Sequence, residues 1–460
     1  MIKSLDMTEI FKGRHAMAMG VMVKRLFVHS YGCQMNVRDL EEVTGLLLER
    51  GYRLTDCQET ADVILYNTCA VREHAEDRVL SNVGRLKHLK ARRPDLVIGL
   101  MGCMVQARRQ ELFERLPHLD FIAGPAQLYE IPDLIETIWE ERKPMAAIQQ
   151  KSRQEFQTIS YHAGKVSALV TVMEGCDKVC SYCIVPYTRG PEVSRPLNQV
   201  VGEVRRLAER GYREVVLLGQ NVNSYGRRFP GEHGVARHPV GFADLLKAVN
   251  GVEGIERIRF ITSHPWDAAE SLFQAMRDLE HVCEHLHLPV QSGSNRILER
   301  MRRGYTVEEY LRKLELLRAM VPGVAVTTDL MVGFPGETDE DFQATVRLVE
   351  EAQFDSAFVF AYSPRPFTLA SRWTDDVADA LKQKRLHTLL ALQEKITQTH
   401  SQRYLGQTVE ILVEEPGMGR TRTNRKVYFE TADTRSNALG QLISVRVDGI
   451  RGQSLLGKMV

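Results

Sequence analysis

Net charge is almost absent: 60 Lys and Arg stand against 59 Asp and Glu over 460 residues. A balance of +1 excludes a protein that coats nucleic acid by bulk charge, and leaves room for a local basic patch. No run of eighteen apolar residues occurs, so no membrane span is expected. Residues 1–20 carry Asp6, Glu9, Lys12 and Arg14 around no apolar core, which predicts neither a secretory signal nor a transit peptide. Met17, Met19 and Met22 follow closely, and a start codon placed too early would account for the extension equally well. Cysteine is scarce, with eight in the chain. That number is too few for a disulfide framework and reads as reduced, ligand-type cysteine in the cytoplasm. What remains is an ordinary globular composition, 43% hydrophobic and 26% charged, long enough for two to four domains.

Three of the eight cysteines lie in one short stretch, Glu174-Gly-Cys176-Asp-Lys-Val-Cys180-Ser-Tyr-Cys183, spaced C-x3-C-x2-C. No fourth Cys or His follows nearby. A four-iron cubane held by three thiolates keeps one iron for a non-protein ligand, whereas tetrahedral zinc and the usual four-thiolate cluster want a fourth donor. The alternatives are a zinc knuckle completed by a distant residue, or three unrelated thiols. The stretch resembles the signature of radical SAM enzymes, in which the open iron binds S-adenosylmethionine.

From Lys24 to about Lys143, strands alternate with helices, which predicts an open parallel αβ sheet. Strands are expected at 24–30, 61–66 and 95–101. Cys33, Cys69 and Cys103 each fall just past one of them, at the sheet edge where ligands bind. Three such placements predict a second thiolate triad, and buried structural cysteine is the alternative. Cys57 and Cys283 lack this placement and read as non-ligands. A polar stretch over 149–163 reads as a linker. Six further strands then alternate with helices and suggest a partial (β/α)6 barrel, with the cysteine loop after its first strand. One long helix covers about 375–401. The last sixty residues hold short β-rich runs and predict a small β-barrel. There nine Lys and Arg face six Asp and Glu, and Arg420, Arg422, Arg425 and Lys426 crowd beside Tyr428 and Phe429. Charge interleaved with aromatics suits looped or single-stranded RNA, against the alternative of a solvated hairpin.

Together these blocks resemble the methylthiotransferase family over about residues 24–460. The first domain carries Tyr31-Gly-Cys-Gln-Met-Asn36, Asn67-Thr-Cys-Ala-Val-Arg-Glu73 and Gly102-Cys-Met-Val-Gln106. The second carries the cysteine loop, Pro186-Tyr-Thr-Arg-Gly190, Leu218-Gly-Gln-Asn-Val-Asn-Ser-Tyr225, Leu288-Pro-Val-Gln-Ser-Gly-Ser294 and Asp329-Leu-Met-Val-Gly-Phe-Pro-Gly-Glu337. Gln34-Met-Asn36 and Pro186-Tyr-Thr-Arg-Gly190 look like the members that act on tRNA. Two departures stand out: Phe367-Thr-Leu-Ala370 where the family commonly has Gly-Thr-Pro-Ala, and Asp39-Leu40 where it has Asp-Ser.

The resemblance implies three domains: 24–148 with an auxiliary iron–sulfur cluster, 162–400 as the radical SAM domain, and 401–460 as an RNA-binding TRAM domain. It implies two 4Fe-4S clusters, one on Cys176, Cys180 and Cys183 and one on Cys33, Cys69 and Cys103. The first would cleave S-adenosylmethionine, and the second would present the sulfur that becomes the methylthio group. Gln220, Gln291, Gly333 and Gly336 are expected at S-adenosylmethionine, where tight strand-to-helix turns are the alternative. The implied substrate is N6-dimethylallyladenosine next to the anticodon of tRNA. Implied partners are a flavodoxin-like or ferredoxin-like reductant and a sulfur-delivery or cluster-assembly protein. The rivals are methylthiolation of threonylcarbamoyl-adenosine or of a ribosomal-protein aspartate, and a non-catalytic RNA-binding iron–sulfur sensor.

Overall fold

The computed structural model describes residues 23–70, 73–149, 153, 155–157, 161–231, 240–430 and 438–460. Residues 1–22 and parts of the 149–163 stretch lie outside the described residues. No helix among the described residues is long and apolar enough to cross a membrane.

The first part is a six-stranded parallel sheet. Its order is Arg53–Leu54, Arg25–Tyr31, Val63–Thr68, Val97–Met101, Phe121–Ala123, Met145–Ala147. Val63–Thr68 and Val97–Met101 are buried throughout because helices cover both faces of the sheet. The three extra strands, two or three residues each, extend the sheet at its edges.

The central part holds six parallel strands in two groups of three. Arg257–Ile261, Glu214–Leu218 and Ser167–Thr171 form one; His285–His287, Ala325–Val332 and Ser356–Ala361 form the other. A bridge between Ile258 and Val282 joins them into the expected partial (β/α)6 barrel. Strand alternation then assigns the two faces. Val215, Leu217, Ile258, Phe260, Leu286, Val326 and Leu330 pack outward into the core under the helices. The intervening residues, among them Leu169, Val216, Arg259, His287, Asp329 and Phe358, face the lumen. The long helix, Asp379–Gln402, lays Leu389 and Ile396 into the same outer core.

The last part is a closed five-stranded barrel around Ile411, Val413, Val427, Phe429, Val445, Val447 and Leu455. It seats on the first residues of the central strands, opposite the cysteine loop. Arg259 donates to the carbonyls of Thr421 and Arg422 at 2.7 and 2.8 Å, and Arg257 donates to that of Arg420. Arg422 pairs with Glu284 at 2.7 Å and Arg425 with Asp355 at 3.1 Å.

Candidate active site

The strand Ser167–Thr171 carries the chain to the upper rim of the barrel, where the loop of Cys176, Cys180 and Cys183 begins. Gly175 opens the loop at φ +76°, where an added Cβ would come within 2.1 Å of the Pro191 carbonyl oxygen. Only glycine fits that close approach. Gln220 Oε1 accepts from the Gly175 amide at 2.5 Å. The Cys176 amide donates to the Gly190 carbonyl at 3.2 Å, and the Cys183 amide to that of Cys180 at 3.0 Å. Ser181 anchors the far side: its amide donates to Met301, its hydroxyl to Arg300, and its carbonyl accepts from Ala370.

Burial pushes the Cys176 and Cys183 thiols up to about 12. Such groups give up their protons to a metal far more readily than to water. Arg303 Nη1 donates to Cys180 Sγ and to the Tyr182 hydroxyl, both at 3.3 Å. His264 Nε2 stands 4.0 Å from the same sulfur, and burial together with the Arg303 charge holds its ring neutral. Neither Arg303 nor His264 belongs to a motif read from the sequence.

Cys33, Cys69 and Cys103 meet at the carboxyl edge of the first sheet. Gly32 allows it: an added Cβ there would lie 2.5 Å from Cys69 Cβ. Gly102 sits at φ +103° and approaches the Asn67 side chain as closely. Asn36 and Asn67 lock the two turns together. Asn36 Nδ2 donates to Asn67 Oδ1 at 3.0 Å, and Asn67 Nδ2 to the Asn36 carbonyl at 2.7 Å. A hydrogen bond from Cys69 brings the Cys33 thiol down to about 6, with the Arg189 charge adding. Cys103 is raised by burial, which the Arg189 guanidinium beside it opposes.

The two triads are linked by packing. Cys103 shares a buried apolar cluster with Ala70, Ala107 and Ile184, the residue after Cys183. Beneath them runs a buried chain of ion pairs. Arg189 binds Asp39 at 2.5 Å, Asp39 binds Arg153 at 3.2 Å, and Arg153 binds Glu174 at 3.0 Å. Glu174 precedes Gly175, so the chain links the turn behind one triad to the loop bearing the other. Sequence reading singled out none of these four as functional, because the contacts are tertiary.

Both triads fit an iron–sulfur cluster. Ligands of a cubane each bind a different iron, so they form a ring of donors and not one coordination sphere. Among the described residues no three His, Cys, Asp or Glu close on a single ion. The loop triad sits on a glycine cradle with an arginine donating to sulfur. The sheet-edge triad has the buried Arg189 guanidinium beside Cys103. Cys57 is exposed and donates to Glu59, and Cys283 is buried away from both triads.

The remaining predicted residues are spread over two regions. Gln291 lies near the upper rim at φ +75° and pairs with Leu330. The amide of Gly333 donates to Glu337 at 2.7 Å and that of Gly336 to Asp376 at 2.6 Å. At the opposite end, Arg420 pairs with Glu414, Arg422 with Glu284 and Arg425 with Asp355. Among the described residues Lys426 makes no ion pair. A cavity of about 230 Å³ lies within the lumen, lined by Gln34, Leu169, Val216, Arg259, Ile261 and Arg420 among others. All three parts of the chain thus reach it.

Residues 170–349 match the Radical SAM superfamily, 25–124 match the family described as Uncharacterized protein family UPF0004, and 402–460 match the TRAM domain. The fold is similar to that of the radical S-adenosylmethionine methyltransferase TsrM from Kitasatospora setae. There the TM-score is 0.57 at 14% identity, over 76% of this chain and 77% of that one. It is also similar to the cobalamin-dependent radical enzyme OxsB, with a TM-score of 0.51 at 13% identity, over 82% of this chain and 56% of that one. Fold and cysteine loop together define a radical SAM enzyme, a class that uses S-adenosylmethionine and a 4Fe-4S cluster.

Relatives named tRNA-2-methylthio-N(6)-dimethylallyladenosine synthase narrow this class. The Thermoanaerobacter sp. (strain X514) protein is 43% identical, over 95% of this chain and 93% of its own length. The Caldicellulosiruptor saccharolyticus protein is 46% identical, over 89% and 88%. The Protochlamydia amoebophila protein is 42% identical, over 95% and 96%. The chain belongs to the family of tRNA-2-methylthio-N(6)-dimethylallyladenosine synthases.

Proposed function

We propose that the chain places a methylthio group on C2 of N6-dimethylallyladenosine, just 3′ of the anticodon in tRNA. S-adenosylmethionine serves as both radical source and methyl donor. The observation that carries this reading is the packing of Cys103, from one cysteine triad, with Ile184, the residue that follows the other. Adenine C2 bears no easily lost proton, so polar acid–base catalysis has little to act on and radical chemistry suits it.

Cys176, Cys180 and Cys183 would hold the radical SAM cluster, and Cys33, Cys69 and Cys103 a second 4Fe-4S cluster. When bound, the first supplies the electron that cleaves S-adenosylmethionine and the second supplies the sulfur. Gln220 shapes the loop through Gly175, while Gln291, Gly333 and Gly336 bound the upper rim where S-adenosylmethionine would lie. The lumen offers a place for the base. Phe358 is 51% exposed there, with its ring centroid 6.1 Å from that of His287. His287 Nε2 stands 3.4 Å from Asp329 Oδ2. An exposed aromatic beside a polar pair suits a splayed-out base.

We divide the chain at 24–148, 162–400 and 401–460, with the last part binding tRNA. Arg420, Arg422 and Arg425 contribute by seating it, and Lys426 is left to meet phosphate. All eight cysteines are free thiols, in keeping with a cytoplasmic protein. A flavodoxin-like or ferredoxin-like reductant and a sulfur-delivery or cluster-assembly protein complete the reaction's needs. The test is mass analysis of tRNA nucleosides from a strain lacking the gene. N6-dimethylallyladenosine should accumulate and its 2-methylthio form vanish. Loss of a methylthio group from threonylcarbamoyl-adenosine or from a ribosomal-protein aspartate would overturn the assignment.

A further inference from the structure

Arg189 is buried, and although it lies in the Pro186–Gly190 block nothing in that block says why a cation should be there. It lies directly after the short helix Val185–Thr188. One side of its guanidinium binds Asp39 at 2.5 Å. The other nitrogen, Nη1, is buried without a hydrogen-bond partner and stands 3.7 Å from Glu174 Oε1. The guanidinium lies beside Cys103, and its charge also reaches Cys33. A buried guanidinium nitrogen held only by a long ion pair, 3.7 Å to Glu174, keeps room for a closer anionic acceptor. The anionic groups the site would acquire are three thiolates and the sulfur they hold.

We infer that Arg189 is a positioning residue of the sheet-edge triad. It brings a fixed positive charge and an N–H donor to the sulfur held by Cys33, Cys69 and Cys103, while Asp39 sets its orientation and tempers its charge. The inference rests on the reading that this triad holds a cluster. Net charge and hydrogen bonds to sulfur set the reduction potential of such clusters. A cation there favours the more negative, reduced form, and an anion disfavours it. Arg189 comes from the radical SAM part of the chain and the cysteines from the first part. The charge that tunes the sulfur carrier is therefore delivered across the domain boundary.

The experiment uses the full-length chain with Cys176, Cys180 and Cys183 changed to Ala, so that one cluster is observed alone. Iron content and the midpoint potential, from a titration followed by electron paramagnetic resonance, are read for three proteins: this parent, Arg189→Gln and Asp39→Asn. Arg189→Gln should shift the potential to more negative values. Asp39→Asn should shift it to more positive values, because the cation then loses its counter-charge. A merely structural role moves both variants the same way or leaves both potentials in place, and either result overturns the inference. If Arg189→Gln takes up no iron, the sign of the Asp39→Asn shift decides alone. Loss of iron in both variants also overturns it, in favour of a scaffold. A parent that takes up no iron instead sinks the two-cluster reading, and the inference with it.

Discussion

Arg425 lies 3.1 Å from Asp355, both largely enclosed, with its guanidinium stacked over Tyr404. The pair joins the terminal barrel to the segment between the helix Asp339–Ala352 and the last central strand. His400 Nδ1 stands 3.2 Å from the same carboxylate oxygen, and the Val326 amide donates to its other oxygen. Asp355 is thus a hub whose charge is completed from two parts of the chain. Arg425→Ala leaves that carboxylate short of its cation, and breaking such a pair costs about 3 kcal/mol. Thermal unfolding should show a lower midpoint, and the terminal barrel should become easier to release by protease. An unchanged midpoint would mean that the pair is a bystander.

Salt dependence of tRNA binding follows from the same arrangement. Each phosphate contact to looped RNA contributes about 0.7 to the log–log slope. With Arg420, Arg422 and Arg425 paired inside the chain, Lys426→Ser should lower the slope by about 0.7. A fall of about 3 on removing this one lysine would be inconsistent with a single contact.

Gly175→Ala tests the cysteine loop. The residue combines a left-handed backbone with a carbonyl oxygen 2.1 Å from any Cβ. The conformational penalty alone is about 1–2 kcal/mol, and the collision adds to it. The loop must open, which misplaces Cys176 and loses the Gln220 contact. Iron content should fall by about half and 5′-deoxyadenosine production should cease. Full iron and normal cleavage would show that the loop tolerates another path.

Phe358→Ala should weaken use of the tRNA substrate without touching cleavage of S-adenosylmethionine. Base–aromatic stacking is worth about 1–3 kcal/mol, so kcat/KM for tRNA should drop roughly 5- to 150-fold. Unstimulated 5′-deoxyadenosine formation should stay within error of the wild type. If tRNA kinetics are unaffected, the base lies elsewhere in the lumen.

The sequence made the long, periodic elements readable. The central strands were found as short apolar runs, such as Val215-Val-Leu-Leu218, bounded by charged residues and glycine. Arg53–Leu54, Phe121–Ala123 and Met418–Arg420 were not, since two or three residues show no period. The helix Phe242–Asn250 also escaped notice. The six cysteines of the two triads stood out because spacing and strand ends are local facts. Arg303, His264 and Asp39 did not: Asp39 meets Arg189 across 150 residues of sequence, and nothing local announces it. Charge in the terminal barrel was legible, but its use was not. Arg422 was visible as a cation, while its partner Glu284 lies 138 residues earlier.

The two triads should be separable by substitution, although Cys103 packs with Ile184 beside the other loop. One is a single loop held by Gln220, Ser181 and Arg303, and the other is spread over three strand ends locked by Asn36 and Asn67. Neither set of fixing contacts passes through the other set of cysteines. Changing Cys33, Cys69 and Cys103 together to Ala should therefore remove about half the iron while 5′-deoxyadenosine still forms under strong reductant. No methylthio-adenosine should appear, because the residues that would hold the sulfur are gone. Changing Cys176, Cys180 and Cys183 should instead abolish 5′-deoxyadenosine and leave the sheet-edge cluster visible by Mössbauer spectroscopy. Arg189 makes the result informative in either direction. If its charge only tunes the sulfur, the first variant keeps its loop cluster. If the Arg189, Asp39, Arg153 and Glu174 chain needs both sites filled, that variant loses all its iron and the independence of the two sites fails.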